Sequence, residues 1–225
     1  MKPMSEAHFA ILRRHMVEVI EIQVDLASEE LGKAALDERV LAAMSKVPRH
    51  RFVPSFLATL AYQDTPLPIG FDKTISQPFI VGLMTDLLGP EPHDSILEVG
   101  TGLGYQAAVL AELSGRVRSV EIVEELAGQA EANLRQLGCS DVTIRIGDGS
   151  RGWREHAPYD RALLTAAAKR LPPAILDQIK PRGRIVLPLG PDEAQWLTVI
   201  DKGADGQTST RKLIRVRFSG LETVV

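Results

Sequence analysis

The sequence predicts an α/β fold: a doubly wound, mostly parallel sheet with a helical N-terminal extension and an antiparallel C-terminal hairpin. Three observations lead to it. Beyond residue 92, apolar runs of strand length alternate with segments of helical period, the pattern of strand–helix–strand units that form a parallel sheet covered on both faces. At one junction, Gly100-Thr101-Gly102-Leu103-Gly104, glycine is concentrated where a strand-like run gives way to a helix. The last two apolar runs, 196–201 and 213–218, are joined through Gly203-Ala204-Asp205-Gly206 with no helical segment between them, as in a hairpin.

In chain order, Phe9, Leu12, Met16, Val19, Ile20 and Leu26 recur at mostly helical spacing and predict an amphipathic helix. A second helix is expected over 37–46, with Asp37 as its cap and Pro48 as its stop. Pro54, Pro66, Pro68 and Gly70 then argue against a long helix or a central strand. The chain through Ser76-Gln77-Pro78 therefore reads as a long loop, kept ordered by the apolar Tyr62, Leu67, Ile69, Phe71 and Ile75. Pro78 suits the first turn of a helix over 79–88. Strands follow at 95–99, 117–122, 142–146, 159–165 and 183–188, with helices at 104–113, 123–137 and 172–179. This divides the chain into a helical cap with a site loop, 1–92, and an α/β core, 93–225, packed as one compact unit.

Length and composition bound the rest. The 225 residues suit a single domain, and 44% apolar with 24% charged residues is the balance of a globular protein rather than a disordered one. A net charge of −3 gives no general attraction for nucleic acid or an anionic membrane. Arg211, Lys212, Arg215 and Arg217 form a local basic run, but with Leu213, Ile214, Val216 and Phe218 they alternate like the solvated face of an edge strand. The single cysteine, Cys139, excludes an internal disulfide and fits a reducing compartment. No apolar run approaches the ~20 residues of a membrane span, and the first residues lack the pattern of a signal peptide. His8, His15, His50, His93 and His156 are scattered without the spacing of metal ligands, so no metal is expected. The expectation is a cytoplasmic monomer with neither nucleic acid nor membrane as partner.

The glycine cluster carries the first functional signal. A strand ends at Val99, the backbone turns, and a helix begins near Tyr105. Glycine permits the dihedrals of such a turn and lets a ligand reach bare backbone, while the helix start offers free amides. The spacing is G-x-G-x-G, and the dinucleotide fingerprint G-x-G-x-x-G would need glycine where Tyr105 stands. Glu121, 21 residues after Gly100 and at the end of the next strand, is placed to accept hydrogen bonds from both ribose hydroxyls of an adenosyl ligand. Asp148, in Gly147-Asp148-Gly149 at the end of the third strand, can accept from an exocyclic adenine amine. Together these residues indicate an S-adenosylmethionine pocket rather than a nicotinamide site.

Three further stretches are more specific: Val47-Pro48-Arg49-His50-Arg51-Phe52-Val53-Pro54, Pro66-Leu67-Pro68-Ile69-Gly70 with Lys73-Thr74-Ile75-Ser76-Gln77-Pro78, and Tyr105-Gln106-Ala107-Ala108-Val109-Leu110-Ala111 after the turn. With them the chain, over roughly 38–219, closely resembles the protein-L-isoaspartate O-methyltransferase family. The resemblance implies a Rossmann-like methyltransferase fold and S-adenosylmethionine as cofactor, released as S-adenosylhomocysteine. It implies methylation of the free carboxylate of L-isoaspartyl residues in damaged proteins, a repair reaction. An aspartate of a dedicated peptide partner is the alternative acceptor. By the same resemblance Ser76 lies at the active site, with Gln77, Thr165 and Val216 contacting the substrate. Thr74, Ile75, Gly100, Thr101, Gly102, Gly104, Glu121, Asp148 and Gly149 are expected around the cofactor. Ser76 is read either as a substrate-orienting donor or as the N-cap of the helix that follows. Lys169-Arg170, Leu103 and Pro181-Arg182-Gly183 depart from the usual family pattern.

Overall fold

A computed structural model describes residues 4–224; the outermost residues of the two predicted regions, 1–3 and 225, lie outside the described residues. Helix α1, Glu6–Leu26, buries Phe9, Met16, Val17, Ile20 and Val24 on one stripe. Leu26, expected on that stripe, is 80% exposed, because the buried positions step by three and four residues and leave it a quarter-turn or more out of phase. A short helix α2, Ser28–Leu31, ends at Gly32 in the left-handed conformation, φ +69°. Helix α3, Glu38–Lys46, is capped as expected, the Asp37 side chain accepting from the Arg39 N–H at 2.8 Å.

The segment expected to be a loop is partly a hairpin. After two 3₁₀ turns, Arg49–Phe52 and Ser55–Leu60, strands β1, Leu67–Gly70, and β2, Lys73–Ile75, pair antiparallel in a small sheet of their own. Pro68 stands opposite Thr74 in a sheet of only two strands, the edge setting in which proline is found. The turn runs through Phe71 and Asp72 at φ +54° and +55°, a left-handed pair normally supplied by Asn-Gly. Helix α4, Pro78–Leu88, starts with Pro78 in its first turn and stops at Gly89, φ +60°.

The remaining elements are β3 Ser95–Val99, α5 Tyr105–Ala111, β4 Arg116–Glu121, α6 Glu124–Gln136, β5 Val142–Ile146, β6 Tyr159–Leu164, α7 Pro173–Asp177, β7 Ile179–Leu189, β8 Gln195–Lys202 and β9 Thr208–Val216. Strand β7 begins earlier than expected and shortens α7, since Ile179 already pairs with Tyr159 before a register break at Arg161. The sheet order is β5-β4-β3-β6-β7-β8-β9, with β3 to β7 parallel and β8 and β9 antiparallel. The doubly wound fold with its C-terminal hairpin is therefore as the sequence predicts.

The topology dictates where a ligand fits. From β3 the chain builds outward through β4 and β5, then crosses back to β6 on the other side. Between the C-terminal ends of β3 and β6 the connections diverge, which opens a crevice at the switch point. Gly100 and Thr165 face each other there, with Thr165 N donating to Val99 O at 2.9 Å. Buried side chains from Phe9 through Leu213 form one continuous cluster that ties α1 and α4 to the sheet. Among the described residues no helix is long and apolar enough to cross a membrane.

Candidate active site

A cavity of about 370 Å³ opens at this switch point, a size that suits a small-molecule ligand. It brings together Thr74, Ser76 and Gln77 from the hairpin loop, Gly100, Gly102, Glu121, Gly149 and Thr165 from the strand ends, and Val216 from β9. A smaller cavity of about 50 Å³ adjoins it, shares Ser76 and Gly100, and is bordered by Ile75 and Thr101. Gly104 and Asp148 line neither cavity.

The glycine turn is built for close approach. Gly100, Gly102 and Gly104 all have positive φ, +95°, +56° and +97°. A Cβ on Gly100 would stand 2.3 Å from Thr165 Oγ1, which itself hydrogen-bonds Gly100 O at 2.5 Å. Gly104 serves packing, since a Cβ there would press on Leu134 and Ala130 of α6 at 3.3–3.4 Å.

Glu121 is buried and holds the turn in shape. Its Oε2 accepts from Gly102 N at 2.8 Å, and its Oε1 from Ile122 N and Val123 N at 2.9 and 3.0 Å. Three of roughly four acceptor positions are thus taken by backbone, leaving one on Oε2. Asp148 is likewise engaged: Oδ1 accepts from Ser150 N at 2.9 Å, and Oδ2 from Val224 N at 3.3 Å, with Arg151 Nε 3.5 Å away. Burial opposes ionisation of Asp148, but its hydrogen bonds with Ser150 and Val224 and the Arg151 charge together hold the carboxyl below the usual range. Two of its roughly four acceptor positions are thus taken, and Gly149 is the member of the pair that lines the cavity.

A buried polar column backs the turn. Thr101 Oγ1 and Ser119 Oγ are 2.5 Å apart, and Ser119 donates to Glu98 Oε2. Thr101 therefore turns its hydroxyl inward, to Ser119. Glu98 is fully buried, its Oε1 has no partner among the described residues, and burial pushes its pKa up to about 8. The folded chain keeps this proton while the unfolded chain loses it near the ordinary 4.5, so stability falls as pH rises through that window. The slope is on the order of 1.4 kcal/mol per pH unit. Glu98→Gln is expected to flatten it. Urea unfolding from about pH 5 to 8 checks this, and parallel slopes for the two proteins would refute it.

Ser76 is held by its backbone. The guanidinium of Arg49, fully buried, donates from Nη2 to Ser76 O and from Nε to Ala61 O, each at 2.7 Å. Burial lowers the Arg49 pKa to about 10, which leaves it charged at neutral pH, and its Cζ lies 4.9 Å from the Tyr105 ring centroid. Asp64 fixes the next residues, Oδ1 accepting from Phe79 N at 2.8 Å and Oδ2 from Gln77 Nε2 at 2.7 Å. Gln23 of α1 donates to the same Oδ2 at 2.6 Å, so the N-terminal helix reaches the site loop through one carboxylate. The N-cap position of α4 belongs to Gln77, not Ser76, and the Ser76 side chain faces the cavities instead of capping the helix.

Sequence reasoning missed Arg49, Asp64 and Gln23, and also the C-terminal wall. Residues 217–222 line the cavity, with Ala167 N donating to Ser219 O and Leu221 N to Ala167 O, each at 2.8 Å, and Lys73 pairing with Glu222. Neither the motif around Arg49 nor the alternation through Arg217 and Phe218 reveals these contacts, because the partners are distant in sequence.

Comparison with known proteins agrees with this geometry. The family model for protein-L-isoaspartate(D-aspartate) O-methyltransferase matches residues 25–223. Protein-L-isoaspartate O-methyltransferase 1 of Polaromonas sp. (strain JS666 / ATCC BAA-500) is 52% identical over 219 residues, covering 97% of this chain and 93% of the relative. Protein-L-isoaspartate O-methyltransferase 2 of Syntrophobacter fumaroxidans (strain DSM 10017 / MPOB) is 49% identical, covering 93% and 85%. A solved protein-L-isoaspartate O-methyltransferase superimposes with a TM-score of 0.79 at 25% identity, over 91% of this chain and 65% of its own. A Plasmodium falciparum protein crystallised with S-adenosyl-L-homocysteine shares the fold, with a TM-score of 0.77 at 21% identity over 94% of this chain and 99% of its own. With its switch-point cavity, its glycine turn and these relatives, the chain belongs to the protein-L-isoaspartate(D-aspartate) O-methyltransferase family.

Proposed function

We propose that this protein moves a methyl group from S-adenosylmethionine to the free carboxylate of L-isoaspartyl residues in damaged proteins, the first step of their repair. The observation that carries this reading is the meeting of the Ser76 loop and the glycine turn on one cavity. The residues present fit the cofactor. A bare Gly100 backbone and one free acceptor position on Glu121 Oε2 suit an adenosyl group lying across the strand ends. When bound, S-adenosylmethionine supplies an activated methyl on a sulfonium. Gly100, Gly102, Glu121, Gly149, Thr74 and Ile75 would hold it.

The chain's own task is then alignment. A carboxylate with a reference pKa near ~4 is ionised at neutral pH and needs no general base. The titratable side chains on the cavity wall, among the described residues, are Lys73, Glu121, Arg215, Arg217 and Glu222. None is a histidine or a cysteine, which suits a reaction that draws on no proton acceptor. In this reading Ser76 Oγ donates a hydrogen bond that orients the acceptor carboxylate, while Arg49 and Asp64 keep the loop from drifting. Holding reactants in line supplies on the order of 7–11 kcal/mol, enough to account for much of the catalysis. Thr165 and Val216 border the acceptor side.

The test is methyl transfer to an isoaspartyl peptide and to its aspartyl twin. Transfer to the isoaspartyl peptide alone is expected. Equal transfer to both, or transfer to the aspartyl peptide alone, would overturn the repair reading.

A further inference from the structure

We propose that Arg215 and Arg217, at the β9 end of the cavity, select isoaspartyl sites flanked by acidic residues. This rests on the repair reading above and adds the substrate class. Strand β9 is the last in the sheet and pairs only with β8, so its outer backbone edge is unpaired within the sheet.

The charge along this edge is one-sided. From Gly206 to Leu221 the sequence carries Arg211, Lys212, Arg215 and Arg217 and no aspartate or glutamate, within a chain whose net charge is −3. None of the four forms an ion pair among the described residues, although cations elsewhere, such as Lys33, Arg39 and Lys180, do. Basic side chains on an edge strand are a common guard against edge-to-edge aggregation, and that accounts for Arg211 and Lys212. It does not account for Arg215 and Arg217, which line the same cavity as Ser76. Arg215 lies over the Trp196 ring at 5.1 Å, which fixes its charge at the rim. Of the other charged side chains on the cavity wall, Lys73 is neutralised by Glu222, and Glu121 is committed to the backbone of the turn. The wall therefore carries one net positive charge, with Glu121 turned to the glycine turn and Arg215 and Arg217 left without an ion pair, among the described residues, at the β9 end. The isoaspartyl carboxylate itself is common to every substrate, so discrimination falls to its neighbours.

The experiment compares short synthetic isoaspartyl peptides with glutamate, alanine or lysine on either side of the damaged residue. The expected order of kcat/KM is glutamate over alanine over lysine, spanning about tenfold from two exposed charge pairs. It should collapse at high salt, where the screening length falls to about 3 Å. Arg215→Glu/Arg217→Glu should reverse the order, and Arg217→Glu alone should weaken it. Equal kcat/KM for the three peptides, or an order unchanged in the double variant, would overturn this inference and leave the repair reading standing. Methylation of none of them would overturn both.

Discussion

Replacing Ser76 with alanine is expected to lower kcat for an isoaspartyl peptide by about 100-fold, the scale set by removing one preorganised donor at a reacting oxygen. The dissociation constant for S-adenosylhomocysteine should stay within about twofold. The separation follows from how the residue is held. What anchors the loop is the Ser76 carbonyl, which takes the Arg49 hydrogen bond at 2.7 Å, and alanine keeps that carbonyl. The side chain caps no helix, so its loss leaves α4 intact. Only the group facing the cavity disappears, and with it the angular restraint on the acceptor carboxylate. Ser76→Thr retains a hydroxyl on a stiffer side chain and should recover part of the rate. Steady-state kinetics beside calorimetric titration decide the matter. A fall in cofactor affinity matching the fall in kcat would place Ser76 among the cofactor ligands instead.

Gly100→Ala should act on the opposite partner, raising the cofactor dissociation constant by at least about tenfold and lowering the melting temperature. Two costs combine. At φ +95° an L-residue is strained by about 1–3 kcal/mol. The new methyl would also stand 2.3 Å from Thr165 Oγ1, an overlap that adds about 1–3 kcal/mol as the neighbours shift. Thr165 can yield only by giving up its hydrogen bonds to Val99 O and Gly100 O, at 3.1 and 2.5 Å, which join β3 to β6. The turn then reaches the ligand in altered shape. Adding Thr165→Ala removes the overlap but not the dihedral strain, so the double variant should regain part of the melting temperature. Calorimetry and thermal unfolding on the two variants test this. Unchanged cofactor affinity in Gly100→Ala would show that the turn does not approach the ligand.

How much of this was legible depended on whether the determining contacts were local. Strand and helix periods exposed the doubly wound sheet, and Asp37 capped where its position indicated. The glycine turn and Glu121 were visible because a tight strand-to-helix turn leaves its mark on neighbouring residues. The β1–β2 hairpin was not, since Phe71-Asp72 carries none of the glycine or asparagine that usually supports a left-handed turn. The partners of Asp148, Ser150 N, Val224 N and the Arg151 guanidinium, were not legible because folding brings Val224 to it from 76 residues away. Arg49 was quoted for its motif, yet nothing in Pro48-Arg49-His50 says that the guanidinium is fully buried and bound to carbonyls at Ala61 and Ser76.

The two sides of the cavity are fastened by different means. The Ser76 side hangs on Arg49, whose charge has no water to turn to, so lifting that loop would strand a cation and two carbonyls in apolar surroundings. The opposite side, 217–222, is secured by two backbone bonds to Ala167, by two bonds between the Gln195 amide and the Phe218 backbone, and by the Lys73–Glu222 ion pair, with Ser219, Gly220 and Glu222 exposed. One wall thus rests on a buried cation, the other on several smaller ties.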